Sequence, residues 1–209
     1  MSDKQVKEEI TKLEDNFLHP EIIQDNKIHF HCNDLIYRVR MPVQKELMEA
    51  DSLKNQHQVK LLQLDDTLSL KQLKKILVEK KGIDIDALEQ ELKDSEEDMV
   101  NVYKKLVKRS DEDKDGIEKD KEALGKIKKM REDISLEIAE HTAISIESQS
   151  ESYYMSFLSS VCTEQMVFES EPAEWNPVWK SFDDFLNTEN TNVKHFGLGY
   201  LTHLLMSVR

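Results

Sequence analysis

Glycine and proline are scarce in this chain, at 5 and 4 of 209 residues. So few breakers exclude a collagen-like or low-complexity architecture and leave room for long uninterrupted helices. Cysteine is scarcer still. Cys32 and Cys162 are too few and too far apart for a disulfide framework, which points to synthesis in a reducing, cytoplasmic compartment. No apolar run approaches the ~20 residues that span a bilayer, and the opening MSDKQVKEEITKLED is charged throughout, unlike a signal peptide. Basic charge is in deficit as well, with 29 Lys and Arg against 42 Asp and Glu. Proteins that hold nucleic acid by its phosphates show the opposite balance. There is no Walker-type phosphate loop, no Gly-x-Ser-x-Gly elbow and no His-Glu-x-x-His. These gaps point away from an enzyme, a nucleic-acid partner and a membrane partner.

What is present is charge, unevenly spread. Residues 1–66 are mixed. Residues 67–141 are dense in Lys, Asp and Glu but nearly balanced. Residues 142–209 are acidic and hold both Trp and most of the Phe and Tyr. The composition therefore predicts three stretches: an N-terminal segment, a charged helical region and an aromatic C-terminal helical region.

The first stretch opens on Val6, Ile10, Leu13 and Phe17 at helical spacing, limited by Pro20. Ile28–Cys32 and Leu35–Arg40 then alternate apolar and polar residues around Asn33-Asp34, a pair that tolerates the positive φ of a two-residue turn. This predicts a β-hairpin over about 28–40, followed after Pro42 by a helix over 44–63. In the second stretch Leu70, Leu73, Ile76 and Leu77 form a helical stripe, with Gly82 placed as a left-handed cap. Asp86 and Glu89 have the spacing of a capping box for the next helix. Two stripes follow, Leu88-Leu92-Met99-Tyr103-Leu106 and Ile117-Leu124-Ile127-Ile134-Ile138, separated by a polar link. That pattern predicts an extended antiparallel coiled-coil hairpin, able to close on itself or to form a homo-oligomer. In the third stretch, within a region expected to be helical, the apolar residues over 144–161 and over 175–186 predict two helices, 196–208 is a last apolar stretch, and Gly197-Leu198-Gly199 reads as a helix-end break. The fold class expected is mainly α: a helical bundle with the coiled-coil hairpin and a small N-terminal β-hairpin.

Two constellations bear on function. Residues 111–122 carry Asp111, Asp113, Asp115, Gly116 and Glu122 at the first, third, fifth, sixth and twelfth positions of an EF-hand loop, the oxygen-rich spacing that hard Ca²⁺ takes. Glu118 stands where such loops carry an apolar residue, and a solvated hairpin tip uses the same Asp and Gly. A calcium-responsive coiled-coil interaction protein is thus the alternative reading, with Ca²⁺ as its one cofactor; the main reading needs none. The second constellation is aromatic. Trp175, Trp179, Phe182 and Phe185, with Tyr37 on the hairpin, are either core or anchors for a protein partner, because Trp and Tyr concentrate at interface hot spots. His29, His31 and Cys32 do not make a metal set, since Cys32 points to the other face of its strand. Cys162 reads as a structural thiol.

The strand Tyr37-Arg38-Val39-Arg40-Met41-Pro42 runs directly into a helix with Glu46 and Ala50. Later come Ile146-Glu147-Ser148, Tyr154, Phe157-Leu158 and Trp175-Asn176-Pro177-Val178-Trp179. In this order the features resemble the tail assembly chaperones of long-tailed bacteriophages and the baseplate-hub assembly proteins of contractile-tailed phages. The resemblance implies a non-enzymatic factor or structural component of the phage tail or baseplate. It would bind hub or tape-measure proteins in the host cytoplasm during virion assembly. Retention in the particle or release after assembly are both open.

If Trp179 is core, Trp179→Ala costs roughly 3–5 kcal/mol, as buried-aromatic truncations do. Urea unfolding of the two proteins measures the difference.

Overall fold

Asn33 and Asp34 both take left-handed backbone angles, φ 51° and 61°. Two successive positive φ values make the primed turn whose twist matches a hairpin. They join β1 (Lys27–Cys32) to β2 (Leu35–Arg40) in antiparallel register, Phe30 opposite Tyr37 and His29 opposite Arg38. A computed structural model describes residues 26–109, 113–167 and 174–207. The amphipathic stretch Val6–Phe17, Asp111 of the calcium pattern and Pro172 lie outside the described residues. The chain continues through α1 (Gln44–Leu62), α2 (Leu70–Lys81), α3 (Ile85–Lys108), α4 (Lys114–Thr142), α5 (Ile146–Cys162), β3 (Thr163–Val167), β4 (Glu174–Pro177), α6 (Phe182–Leu186) and α7 (Thr191–Ser207). The molecule is mostly helical, with one small antiparallel sheet in the order β1-β2-β3-β4. No helix among the described residues is long and apolar enough to cross a membrane.

The compact units cut the chain differently from its composition. Among the described residues, those up to Val59 and those from Ser150 onward form one unit, and those between Lys60 and Gln149 the other. The first and last stretches share a core, because the hairpin and the aromatic segment are two halves of one sheet. Tyr37, Arg38 and Val39 pair with Gln165, Glu164 and Thr163, and Met166 pairs with Trp175. Trp175 is therefore a strand residue. The single helix expected over 175–186 is instead strand β4, a bend at Val178–Lys180 and the short α6. Pro177 explains the break: it suits the end of an edge strand but not a helix interior.

On the inner face of this sheet Ile28, Phe30, Tyr37 and Val39 pack with Phe157, Leu158, Trp179, Phe185, Val193, Leu201 and Leu204, all at most 7% exposed. Phe30 stacks on Tyr37 at 5.3 Å and Trp179 meets Phe185 edge-on at 4.8 Å. Gly197 lies inside α7 and breaks nothing. A Cβ there would stand 2.8 Å from Thr163 Oγ1 and 3.1 Å from Ser159 Oγ, so the glycine is required for α7 to approach α5 and β3 closely. Gly199 faces open space.

In the other unit, α2 opens with a capping box, Ser69 and Gln72 exchanging bonds with each other's backbone. It closes on Gly82 at φ 69°. The cap of α3 is Asp84, two residues earlier than Asp86, and its side chain accepts from the Ala87 N–H. Leu73, Leu77 and Ile85 form a small core with Leu88 and Ile138 against it. The helices α3 and α4 run antiparallel. Arg131 Nη1 of α4 donates to Leu92 O at 2.8 Å and to Ser95 Oγ at 3.0 Å, while beyond the end of α3 Arg109 Nε meets Asp120 at 2.5 Å. The Ile146 N–H donates to Leu68 O at 2.9 Å, which closes the two ends of the unit together.

The two glycines of α7 should separate cleanly. Gly197→Ala over-packs the core and costs about 1–3 kcal/mol. Gly199→Ala gains about 0.5–1 kcal/mol by helix propensity. Thermal melts of both variants against the parent check the opposite signs.

Candidate interaction surface

The opposite, outer face of the sheet is polar because β1 and β2 alternate, and it collects charge from three segments. Arg40 lies at its centre. Its Nη1 and Nη2 bind Glu46 Oε2 and Oε1 at 2.9 and 2.7 Å, and its Nε reaches Glu164 Oε1 at 3.0 Å. Nη2 also donates to Val161 O at 3.0 Å, at the end of α5, and Nη1 to Met41 O at 3.2 Å. Glu46 in turn accepts from the Val43 N–H at 2.8 Å, satisfying a donor at the start of α1. The guanidinium hydrogen bond holds the Glu46 carboxyl below its ordinary range, against the opposing effect of burial.

Next to it Arg38 shares Glu164, with Nη2 to Oε2 at 2.6 Å, and its guanidinium lies 4.3 Å above the Trp175 ring. His29 packs on the same indole at 5.3 Å. Burial, then Arg38 and Lys27, hold the His29 imidazole below its ordinary value, so it is neutral here. Trp175 is thus pinned between a cation and an imidazole, with part of its surface open.

The five aromatic candidates are not one face. Tyr37, Trp179 and Phe185 are 2%, 7% and 0% exposed and belong to the inner core. Burial raises the Tyr37 phenol above its ordinary value, and a hydrogen bond from Asn190 pulls the other way. Phe182 is half-buried, edge-on to Tyr153 and Phe157 at 5.0 and 5.5 Å. Only Trp175 and Phe182 of the set retain surface that a partner can touch.

The calcium pattern is arranged differently from a calcium loop. Asp113 is the N-cap of α4: its carboxylate accepts from the Gly116 N–H and pairs with Arg109 at 2.5 Å. Asp115 and Gly116 already lie in the first helical turn, and Glu122 binds Lys126 one turn on at 2.8 Å. A twelve-residue calcium loop needs its Gly at a sharp turn and its ligands converging. Here Gly116 is helical, Asp113 caps α4, and Asp115 and Glu122 lie within it about two turns apart. The Arg109 hydrogen bond holds both Asp113 and Asp120 below the ordinary carboxylate range. Among the described residues no three His, Cys, Asp or Glu side chains gather to hold a metal.

Cys162 is fully buried, and burial pushes its thiol up to about 12. At neutral pH it is the protonated, unreactive form. Cys32 is buried too.

Sequence reasoning missed the surfaces that are open. On α3, Val100, Tyr103 and Val107 are 43%, 43% and 85% exposed; Leu136 on α4 and Met206 on α7 are 58% and 71% exposed. Their spacing, at steps of three and four along α3, was the available signal. A groove of about 640 Å³ beside α2 is lined by Lys71, Lys74, Lys75 and Val78, but Lys74 is already paired with Asp86 and Glu89 at 2.7 and 2.9 Å. No protein-family model, curated protein or solved structure matches this chain.

Removing the central cation should expose its role. Arg40→Met leaves Glu46 and Glu164 without their shared countercharge and costs on the order of 3 kcal/mol. Because the folded Glu46 carboxyl is depressed from 4.5, its contribution is present above that pH and is lost as pH falls through the lower folded value. Urea unfolding at neutral and acidic pH should therefore show the gap between parent and variant narrowing on acidification.

Proposed function

We propose that this protein is a non-enzymatic assembly factor or structural component of a phage tail or baseplate, acting by binding other tail proteins such as the hub or tape-measure. The observation that carries a binding role is the exposed apolar side chains at helical spacing on α3, with Val107 at 85%. Contiguous exposed apolar surface on a folded chain is what partner sites are made of. The tail assignment rests on the residues that carry the resemblance; of these, Arg40 and Glu46 lock strand to helix, and Ala50 is fully buried.

In this reading α3 and α4 form a coiled coil that presents those side chains. The half-buried and buried positions Leu88, Leu92, Ser95, Met99, Val102 and Leu106 alternate at four and three residues, and Ile117, Asp120, Leu124, Ile127, Arg131, Ile134 and Ile138 do the same on α4. The seat of action is the host cytoplasm during virion assembly. Trp175 and Phe182 offer a second, smaller contact on the sheet unit.

The test is an affinity capture of the tagged chain from infected cells, read by mass spectrometry. Tail or baseplate proteins are the expected co-purifying species, and their loss in a Val100→Asp/Val107→Asp variant ties them to α3. An eluate holding only host metabolic or signalling proteins overturns the reading. Presence in purified particles separates a component from a chaperone.

A further inference from the structure

The lateral face of α3 repeats the spacing of its inner face. Glu96, Val100, Tyr103 and Val107 step by four, three and four residues, as a heptad seam does, and this seam is not covered by α4. Charge on the helix is segregated around it. Residues 85–98 hold seven acids and one Lys, while residues 99–109 hold four basic residues and no acid.

The helix macrodipole favours acids in the first turn and bases in the last, but Glu96, Glu97 and Asp98 lie about three turns in. Intrahelical pairing offers them only Lys93, which stands three residues before Glu96 and four before Glu97; Asp98 has no basic residue three or four positions away. Among the described residues, no ion pair within 4.0 Å involves Glu96, Glu97 or Lys104.

The geometry points to a second copy of this chain as the occupant, docked antiparallel along α3 about a two-fold axis between Val100 and Tyr103. In that register Val100 faces Tyr103 of the second copy, the two helices overlap over residues 95–108, and Glu96, Glu97 and Asp98 of each lie beside Lys104, Lys105 and Lys108 of the other. Glu97 and Lys104 occupy equivalent flanking positions one heptad apart, so each Glu97 meets the other copy's Lys104 and the pair occurs twice. A shallow depression of about 270 Å³, lined by Glu96, Glu97, Val100, Asn101 and Lys104, lies where the second copy's Tyr103 packs. A parallel pair instead sets Glu96 against Glu96, which repels. The seam is short, so the dimer is reversible and concentration-dependent rather than obligate. This inference rests on the α3–α4 hairpin and not on the tail-assembly reading; a tail protein that uses the same seam displaces the second copy.

Sedimentation equilibrium of the full chain, from low to high micromolar, tests it. The parent should show a monomer–dimer equilibrium that weakens with added salt. Glu97→Lys and Lys104→Glu should each weaken it about tenfold by turning two attractions into two repulsions. Mixing those two variants should restore dimer, because each then meets its opposite. Val107→Asp, at a position 85% exposed, should shift the protein to monomer with unchanged circular dichroism. A parent that is monomeric throughout overturns the proposal, as does a dimer indifferent to Val107→Asp. Failure of the mixture to re-form dimer overturns the antiparallel pairing.

Discussion

Arg40 sets the geometry on which the sheet unit depends. Its planar fork has donors enough for two carboxylates and two carbonyls, and here it uses them on Glu46, Glu164, Val161 and Met41. Those acceptors belong to the start of α1, to β3, to the end of α5 and to the end of β2. One side chain therefore fixes how the N-terminal hairpin meets a strand more than 120 residues away. Lysine has neither the planar shape nor the number of donors to do this. The carboxylates also depend on it. Glu46 and Glu164 have side chains only 17% and 12% exposed, and burying a carboxylate this far without a partner is costly. Sharing Glu164 with Arg38 extends the constraint across the sheet, and Arg38 in turn seats Trp175.

That arrangement divides the aromatic residues by face. Strand alternation sends Phe30, Tyr37 and Val39 inward, where Trp179, Phe185 and α7 meet them. It sends His29 and Arg38 outward, where Trp175 lies. Two tryptophans four residues apart thus have different tasks: Trp179 holds the core together, and Trp175 covers a charge network. Gly197 completes the inner packing by letting α7 close to within van der Waals contact of Thr163 and Ser159.

Local chemistry was legible in the sequence, and distant pairing was not. Asn33-Asp34, Gly82 and the helix after Pro42 announce themselves because turn and cap residues act on their own backbone. The strands β3 and β4 do not, because the run TEQMV has no alternation of its own; it becomes a strand when β2 offers it a ladder. Reading Trp175 to Leu186 as one helix fails for the same reason. Its apolar spacing fits a helix, but Pro177 and the waiting edge of β3 decide otherwise. Gly197-Leu198-Gly199 read as a break since propensity alone counts glycine as a cost, and only the neighbouring Ser159 and Thr163 show why one is needed. The acids of 111–122 matched a calcium spacing, yet Asp113 caps α4 and pairs with Arg109, and Glu122 pairs with Lys126.

The second unit solves a different problem. A pair of charged helices with a narrow apolar stripe can slide by a heptad at little cost. Polar groups placed in the seam prevent this, since a slipped register leaves them unsatisfied. Arg131 reaching Leu92 O and Ser95 Oγ does so near the middle of the pair, and Arg109 on Asp120 does so at the tip. A register fixed in this way holds the lateral residues of α3 in a constant pattern. Recognition there needs no aromatic pocket. In the proposed pairing it follows from a short apolar seam for adhesion and from segregated charge for direction, the combination that selects one partner orientation over another.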